Sequence, residues 1–160
     1  MEKKVFDAAV QRYQNMVYRV ALHAVASPPD AEDAVQEVFL RLYTSQKPFE
    51  SDEHLRRWLI RVTVNTCRNS LKAWWRRRRI SLEEVAEQPV FDQPAERELY
   101  DAVLCLPEKY RTVLNLFYYE ALSTDEIART LGLLRSTVTT RLSRARALLK
   151  EKLGEEWQDE

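Results

Sequence analysis

Along most of this chain apolar residues recur every three or four positions, the spacing that lines one side of an α-helix. The first stripe is Phe6, Ala9, Val10, Tyr13, Val17, Val20, Ala21 and Ala24, which makes residues 5–26 one helix or two. Pro28 and Pro29 end it, since proline has no N–H to give and clashes inside a helix. Asp30 then reads as an N-cap, with Glu32 and Asp33 at the positive end of the next helix. Ala31, Ala34, Val35, Val38 and Leu42 form the stripe that this helix buries. Its other side holds Asp33, Gln36, Glu37 and Leu40. A leucine ringed by acidic and amide groups fits two descriptions, a docking face for a basic partner or a solvated helix with one stray apolar residue.

The period breaks over residues 44–53, a loop with Pro48 in it and Phe49 as its one large apolar side chain. When it resumes, Leu55, Trp58, Leu59, Val62 and Thr66 share one face. Arg57, Arg61, Arg68 and Lys72 share the opposite one, with Asn65 beside them and Trp75 near the end. Arginines so spaced can each meet a phosphate, and a neighbouring indole can stack on an unpaired base. The run Trp74-Trp75-Arg76-Arg77-Arg78-Arg79 also fits a membrane-surface or nuclear-type basic motif, although the tract lacks a wide apolar face. Residues 80–93, with Pro89 inside them, lose the period and read as a linker. Helical spacing returns over residues 95–104. A further helix starts at Leu106-Pro107, with proline at its first position and a core face of Tyr110, Val113, Leu114, Phe117 and Tyr118.

The last ordered stretch is the most sharply punctuated. Ser123 and Glu126 have capping-box spacing, Ile127, Ala128 and Leu131 give one apolar face, and Gly132 supplies the left-handed residue that closes a helix. A second helix begins near Arg135. Val138, Leu142, Ala145 and Leu149 face its core, which leaves Ser136, Thr139, Thr140, Ser143 and Arg144 outside without a carboxylate among them. This is a helix-turn-helix, and such a face can reach base edges and phosphates in a major groove.

Composition narrows the class. The chain has 160 residues, 45% hydrophobic, and only two glycines, so it can bury a core but has little with which to turn many strands. The expected fold is all-α. A net charge of zero conceals a pattern: residues 61–79 carry seven basic groups and no acid, and residues 81–110 carry eight acids against two bases. Residues 135–153 carry six bases against one acid, and residues 154–160 four acids. Two basic surfaces spaced along one chain suit an elongated polyanion. Cys67 and Cys105 sit in apolar helical patterns and read as reduced core residues. With only His23 and His54 beside them, no metal site or cofactor is expected. Nor is there a glycine-rich phosphate loop or a nucleophile with its base, so an enzyme is not expected. No signal peptide or membrane span is legible, and the expected location is the cytoplasm.

Taken in order, residues 30–43 (DAEDAVQEVFLRLY), 58–72 (WLIRVTVNTCRNSLK), 106–132 (LPEKYRTVLNLFYYEALSTDEIARTLG) and 136–153 (STVTTRLSRARALLKEKL) resemble bacterial sigma factors of the extracytoplasmic-function group. The resemblance covers nearly the whole chain. It implies an N-terminal helical domain at residues 1–80, an acidic linker at 81–94, a four-helix domain ending in the helix-turn-helix at 95–154, and an acidic tail at 155–160. It further implies that core RNA polymerase is met by Asp33, Gln36, Glu37, Leu40 and Arg41. The minus-ten promoter element would be melted and held by Phe49, Arg57, Arg61, Asn65, Arg68, Asn69, Lys72, Trp75 and Arg76. The minus-thirty-five element would be read by Arg135, Ser136, Thr137, Thr139, Thr140, Arg141, Ser143, Arg144 and Arg146. The implied partners are core polymerase, promoter DNA and an anti-sigma factor, with no membrane insertion. Family members commonly carry Asp where Asn69 stands, Arg where Val64 stands and Gly where Ser136 stands. Apart from the resemblance, the residues also fit a stand-alone helix-turn-helix regulator or a helical adaptor that binds only proteins.

Overall fold

The computed structural model describes the backbone of residues 1–46, 48–77 and 94–154, and the side chains of 1–46, 48–69 and 97–154. The expected tail at 155–160 and the linker, save Pro94, lie outside the described residues, as do the side chains of Lys72, Trp75 and Arg76. The described residues form helices and no strands. The chain divides into two compact units, Met1–Ala86 and Glu87–Glu160.

The N-terminal unit is three helices, each packed on the other two: α1 (Lys3–Val25), α2 (Pro28–Thr44) and α3 (Asp52–Arg77). The first stripe is one continuous helix, stopped where Ala26 turns left-handed at φ 54°. Asp30 is not the cap of α2. Ser27 is, and Pro28 and Pro29 occupy the first turn, where a missing N–H costs nothing because that N–H has no intrahelical acceptor. Ala31, Ala34, Val38, Phe39 and Leu42 are buried on α2, whereas Val35 is only half-buried.

The face buried by α3 differs from the one the spacing predicted. Leu59, Ile60, Thr63, Val64, Thr66 and Cys67 are buried, while Leu55, Trp58 and Val62 stay partly exposed. Apolar residues run almost all round the helix from Leu55 to Val64, so the helix itself does not choose a side. Contact with α1 and α2 together selects the lane through Ile60 and Val64. The Thr63 hydroxyl is satisfied within the helix by donating to the Leu59 carbonyl at 2.6 Å. Two bonds seat the start of α3: Arg12 pairs with Asp52 at 2.9 Å, and the Tyr13 hydroxyl donates to the Asp52 carbonyl at 3.4 Å. Burial first, then the neighbouring Asp52, pushes the Tyr13 phenol up to about 12, so it stays protonated across the physiological range.

The second unit comprises α4 (Pro94–Leu104), α5 (Glu108–Leu114) with a π-turn (Asn115–Tyr119) running on from it, α6 (Thr124–Leu131) and α7 (Arg135–Leu153). Pro107 caps α5 instead of opening it. Arg111, 9% exposed, donates to the Leu106 carbonyl at 2.6 Å and so closes the turn between α4 and α5; its burial lowers the pKa, opposed by Glu108. Leu116 and Glu120 are buried beside this turn, Phe117 is half-buried, and Tyr118, expected in the core, is 57% exposed. Cys105 also lies at the surface, while Cys67 is buried, and both are free thiols.

The α6–α7 junction follows the sequence punctuation. The Ser123 hydroxyl accepts the Glu126 N–H at 3.1 Å, and Gly132 sits at φ 67° with its N–H on the Ala128 carbonyl. Ile127, Leu131, Val138, Leu142 and Ala145 are buried along the seam, and Leu149 is half-buried at its end. Nothing lies within 4 Å of where a Gly132 side chain would start, so substitution there meets conformational strain alone. Gly132→Ala is expected to lower stability by about 1–2 kcal/mol, with Gly132→Asn costing less, as measured by urea denaturation. Leu142→Ala should cost about 2–5 kcal/mol in the same assay.

Candidate nucleic-acid and protein-docking surfaces

Every residue predicted to dock a protein on α2 is exposed. Asp33, Gln36, Glu37, Leu40 and Arg41 line the side away from the core, and Leu40 is 63% exposed. Arg41 is committed within this face, its guanidinium lying 3.0 Å from Glu37 one turn earlier. The pair leaves Asp33 and Gln36 as the polar rim around the leucine. Tyr43, missed in the sequence reading, lies three residues beyond Leu40 and is 50% exposed, its ring edge-on to Phe6 at 5.1 Å. The i, i+3 spacing was its available signal: together they make a small apolar strip on a helix whose opposite side fills the core.

On α3 the exposed ladder is Arg57, Arg61, Asn65 and Asn69, with Arg68 half-buried beside it. Arg57 lies 3.3 Å from Glu53 on its own helix. Val64 is fully buried, so the departure from the family pattern there falls in the core and not on this polar ladder. Phe49 is half-buried, with its ring packed edge-on against His54 and Trp58, each at 5.4 Å. The loop is tied further by two bonds, Glu50 N–H to His54 Nδ1 at 3.1 Å and His54 N–H to Ser51 Oγ at 3.0 Å. Phe49 therefore stands on a platform at the start of the basic helix.

The nine candidates on α7 do not form one cluster. Ser136, Thr137, Thr140, Arg141 and Arg144 line a concavity of about 320 Å³ shared with Lys109 and Tyr110 of α5. Arg146 faces elsewhere: its Nε donates to the Tyr118 hydroxyl at 2.5 Å, and its guanidinium lies over the Phe117 and Tyr118 rings at 5.8 and 5.5 Å. Thr139 and Ser143 are exposed between these two groups, with the Thr139 hydroxyl donating back to the Arg135 carbonyl at 3.1 Å. Arg135 itself lies 3.5 Å from Asp125 at the start of α6. Lys109 had no sequence signal, because the residues it joins lie far downstream and only the packing of α5 on α7 brings them together.

The chain is similar to known proteins. The family pattern Sigma-70 region 2 matches residues 9–79, and Sigma-70, region 4 matches residues 96–149. The ECF RNA polymerase sigma-E factor of Haemophilus influenzae is 31% identical, over 95% of this chain and 89% of its own. The RNA polymerase sigma-E factor of Streptomyces coelicolor is 34% identical, over 92% and 85%. Among solved structures, the sigma factor RpoE of Bartonella quintana, crystallised with the anti-sigma factor NepR, has the same fold, with a TM-score of 0.81 at 23% identity over 96% of this chain and 99% of that one.

The Arg135–Asp125 pair gives a test of the α7 surface. Both side chains are largely exposed, so the pair is worth less than about 1 kcal/mol to stability. Asp125→Asn removes a carboxylate held against this face, and is expected to tighten duplex DNA binding severalfold in a mobility-shift titration at low salt, with little change in thermal midpoint.

Proposed function

Since the chain belongs to the extracytoplasmic-function group of sigma-70 factors, promoter-specificity subunits of RNA polymerase, we propose how its two units divide that work. The N-terminal unit docks on core polymerase through α2 and engages the minus-ten element through α3 and the Phe49 platform. The second unit reads the minus-thirty-five element through α7. The observation that carries this division is the pairing, on one three-helix scaffold, of a leucine-centred acidic face with a separate cationic ladder. A stand-alone helix-turn-helix regulator would leave the first of these without a use.

The chemistry of each surface fits its task. Leu40 gives apolar area at the centre of a polar rim, the arrangement that concentrates binding energy. The α3 ladder meets phosphates, while Phe49, backed by Trp58 and His54, offers a ring for a base removed from the stack, a step that costs a few kcal/mol. On α7, Arg144 has the bidentate geometry that recognises guanine, and Thr140 can serve either a base edge or a phosphate. In this reading the protein carries out no reaction itself and acts in the cytoplasm, where polymerase and promoters are. Among the described residues no helix is long and apolar enough to cross a membrane. An anti-sigma factor is a further proposed partner, as NepR is for the Bartonella quintana protein of the same fold.

Run-off transcription with purified core polymerase on genomic fragments, including the region upstream of the protein's own gene, tests the function directly. Fragments that yield transcripts only when the protein is present are its promoters. Replacing Asp33, Glu37 and Leu40 together by alanine is expected to weaken core binding by about tenfold or more; wild-type binding would refute the docking face. Loss of Thr140 or Arg144 should cost about 1–3 kcal/mol per lost base contact, measured as promoter affinity against single-base variants of the upstream element.

A further inference from the structure

The concavity beside α7 holds a cation that belongs to no recognition helix. Lys109 lies at the start of α5, yet it lines the same hollow of about 320 Å³ as Ser136, Thr137, Thr140, Arg141 and Arg144. Three cations and four hydroxyl-bearing side chains therefore converge there, Tyr110 being the fourth, and no carboxylate lines it. Lys109 is exposed, and its ammonium lies 5.1 Å from the centre of the Tyr110 ring, an apolar support that leaves the charge intact. Among the described residues no carboxylate pairs with it.

Geometry and side-chain chemistry together decide what this group meets. A recognition helix enters the major groove and presents its own outer face to base edges. An element packed along its flank instead faces the strands that wall the groove, where the phosphates are. A lysine ammonium is a compact charge with three rotatable donors and no fork, which suits a phosphate oxygen better than a paired base edge. Hydroxyls such as those of Ser136 and Thr137 at the same hollow donate to the same oxygens.

We propose that Lys109, together with Arg141, clamps a DNA backbone phosphate beside the upstream promoter element, fixing the register in which α7 reads it. The clamp rests on the reading of α7 as the upstream reader. It adds a contact from outside the helix-turn-helix that sets affinity on all sequences alike.

The test uses the full chain assembled with core polymerase, on a promoter duplex recovered by the run-off experiment and on a panel of single-base variants of its upstream element. One phosphate contact contributes about 0.9 to the slope of log affinity against log salt. Lys109→Gln is therefore expected to weaken binding at low salt, with the wild-type advantage shrinking about 3.5-fold between 50 and 200 mM salt. It should lower every variant of the element by the same factor, leave their ranking unchanged, and keep the wild-type thermal midpoint. Lys109→Arg should restore the slope. Arg144→Ala, in contrast, should flatten the ranking. If Lys109→Gln keeps the wild-type slope while Arg144→Ala alters the ranking, the clamp is refuted and α7 remains the reader. A failure of Lys109→Arg to restore the slope, or a Lys109→Gln effect confined to one base position, also overturns it. If neither Lys109→Gln nor Arg144→Ala has any effect, both the clamp and the underlying reading fall.

Discussion

The seam of Ile127, Leu131, Val138, Leu142 and Ala145, folded about the left-handed turn at Gly132, is the constraint on which the second unit depends. Burying one side of α7 frees the other for a ligand. The turn sets how α7 leaves α6, and the cap at Ser123 fixes where α6 begins. A helix two residues out of register would carry its hydroxyl and guanidinium groups into the core. The outward face of α7 is thus set by apolar packing on its other side.

The N-terminal unit meets the same demand differently. Its three helices each pack on two neighbours, so α2 and α3 spend a broad face on the core and leave a narrow one exposed. On α2 the narrow face is acidic around a leucine, and on α3 it is cationic. The ties from Arg12 and Tyr13 to Asp52 hold the start of α3, and with it the loop that presents Phe49.

Arg144 and Arg146, exposed on different sides of α7, illustrate how neighbours allocate a side chain. Arg146 is stacked on the Phe117 and Tyr118 rings, so its guanidinium is already engaged within the unit. Arg144 faces the hollow that Lys109 shares. A count of basic residues treats them alike, and only their surroundings separate them.

Much of this was legible in the chain itself. Local rules act within a few residues, and so the helices, the cap at Ser123, the turn at Gly132, the exposed face of α2 and the basic ladder of α3 could all be read from spacing and punctuation. The order of segments carried the family. Where apolar residues surround a helix, however, spacing cannot choose a side, and packing against α1 and α2 put Val64 inside and left Trp58 partly out. Tyr118, spaced for the core, lies instead at the surface against Arg146. The meeting of Lys109 with α7 had no local trace. Sequence determines what a helix can bury, because periodicity is a property of one segment; tertiary structure decides what it does bury and what gathers beside it, because those depend on surfaces brought together from distant parts of the chain.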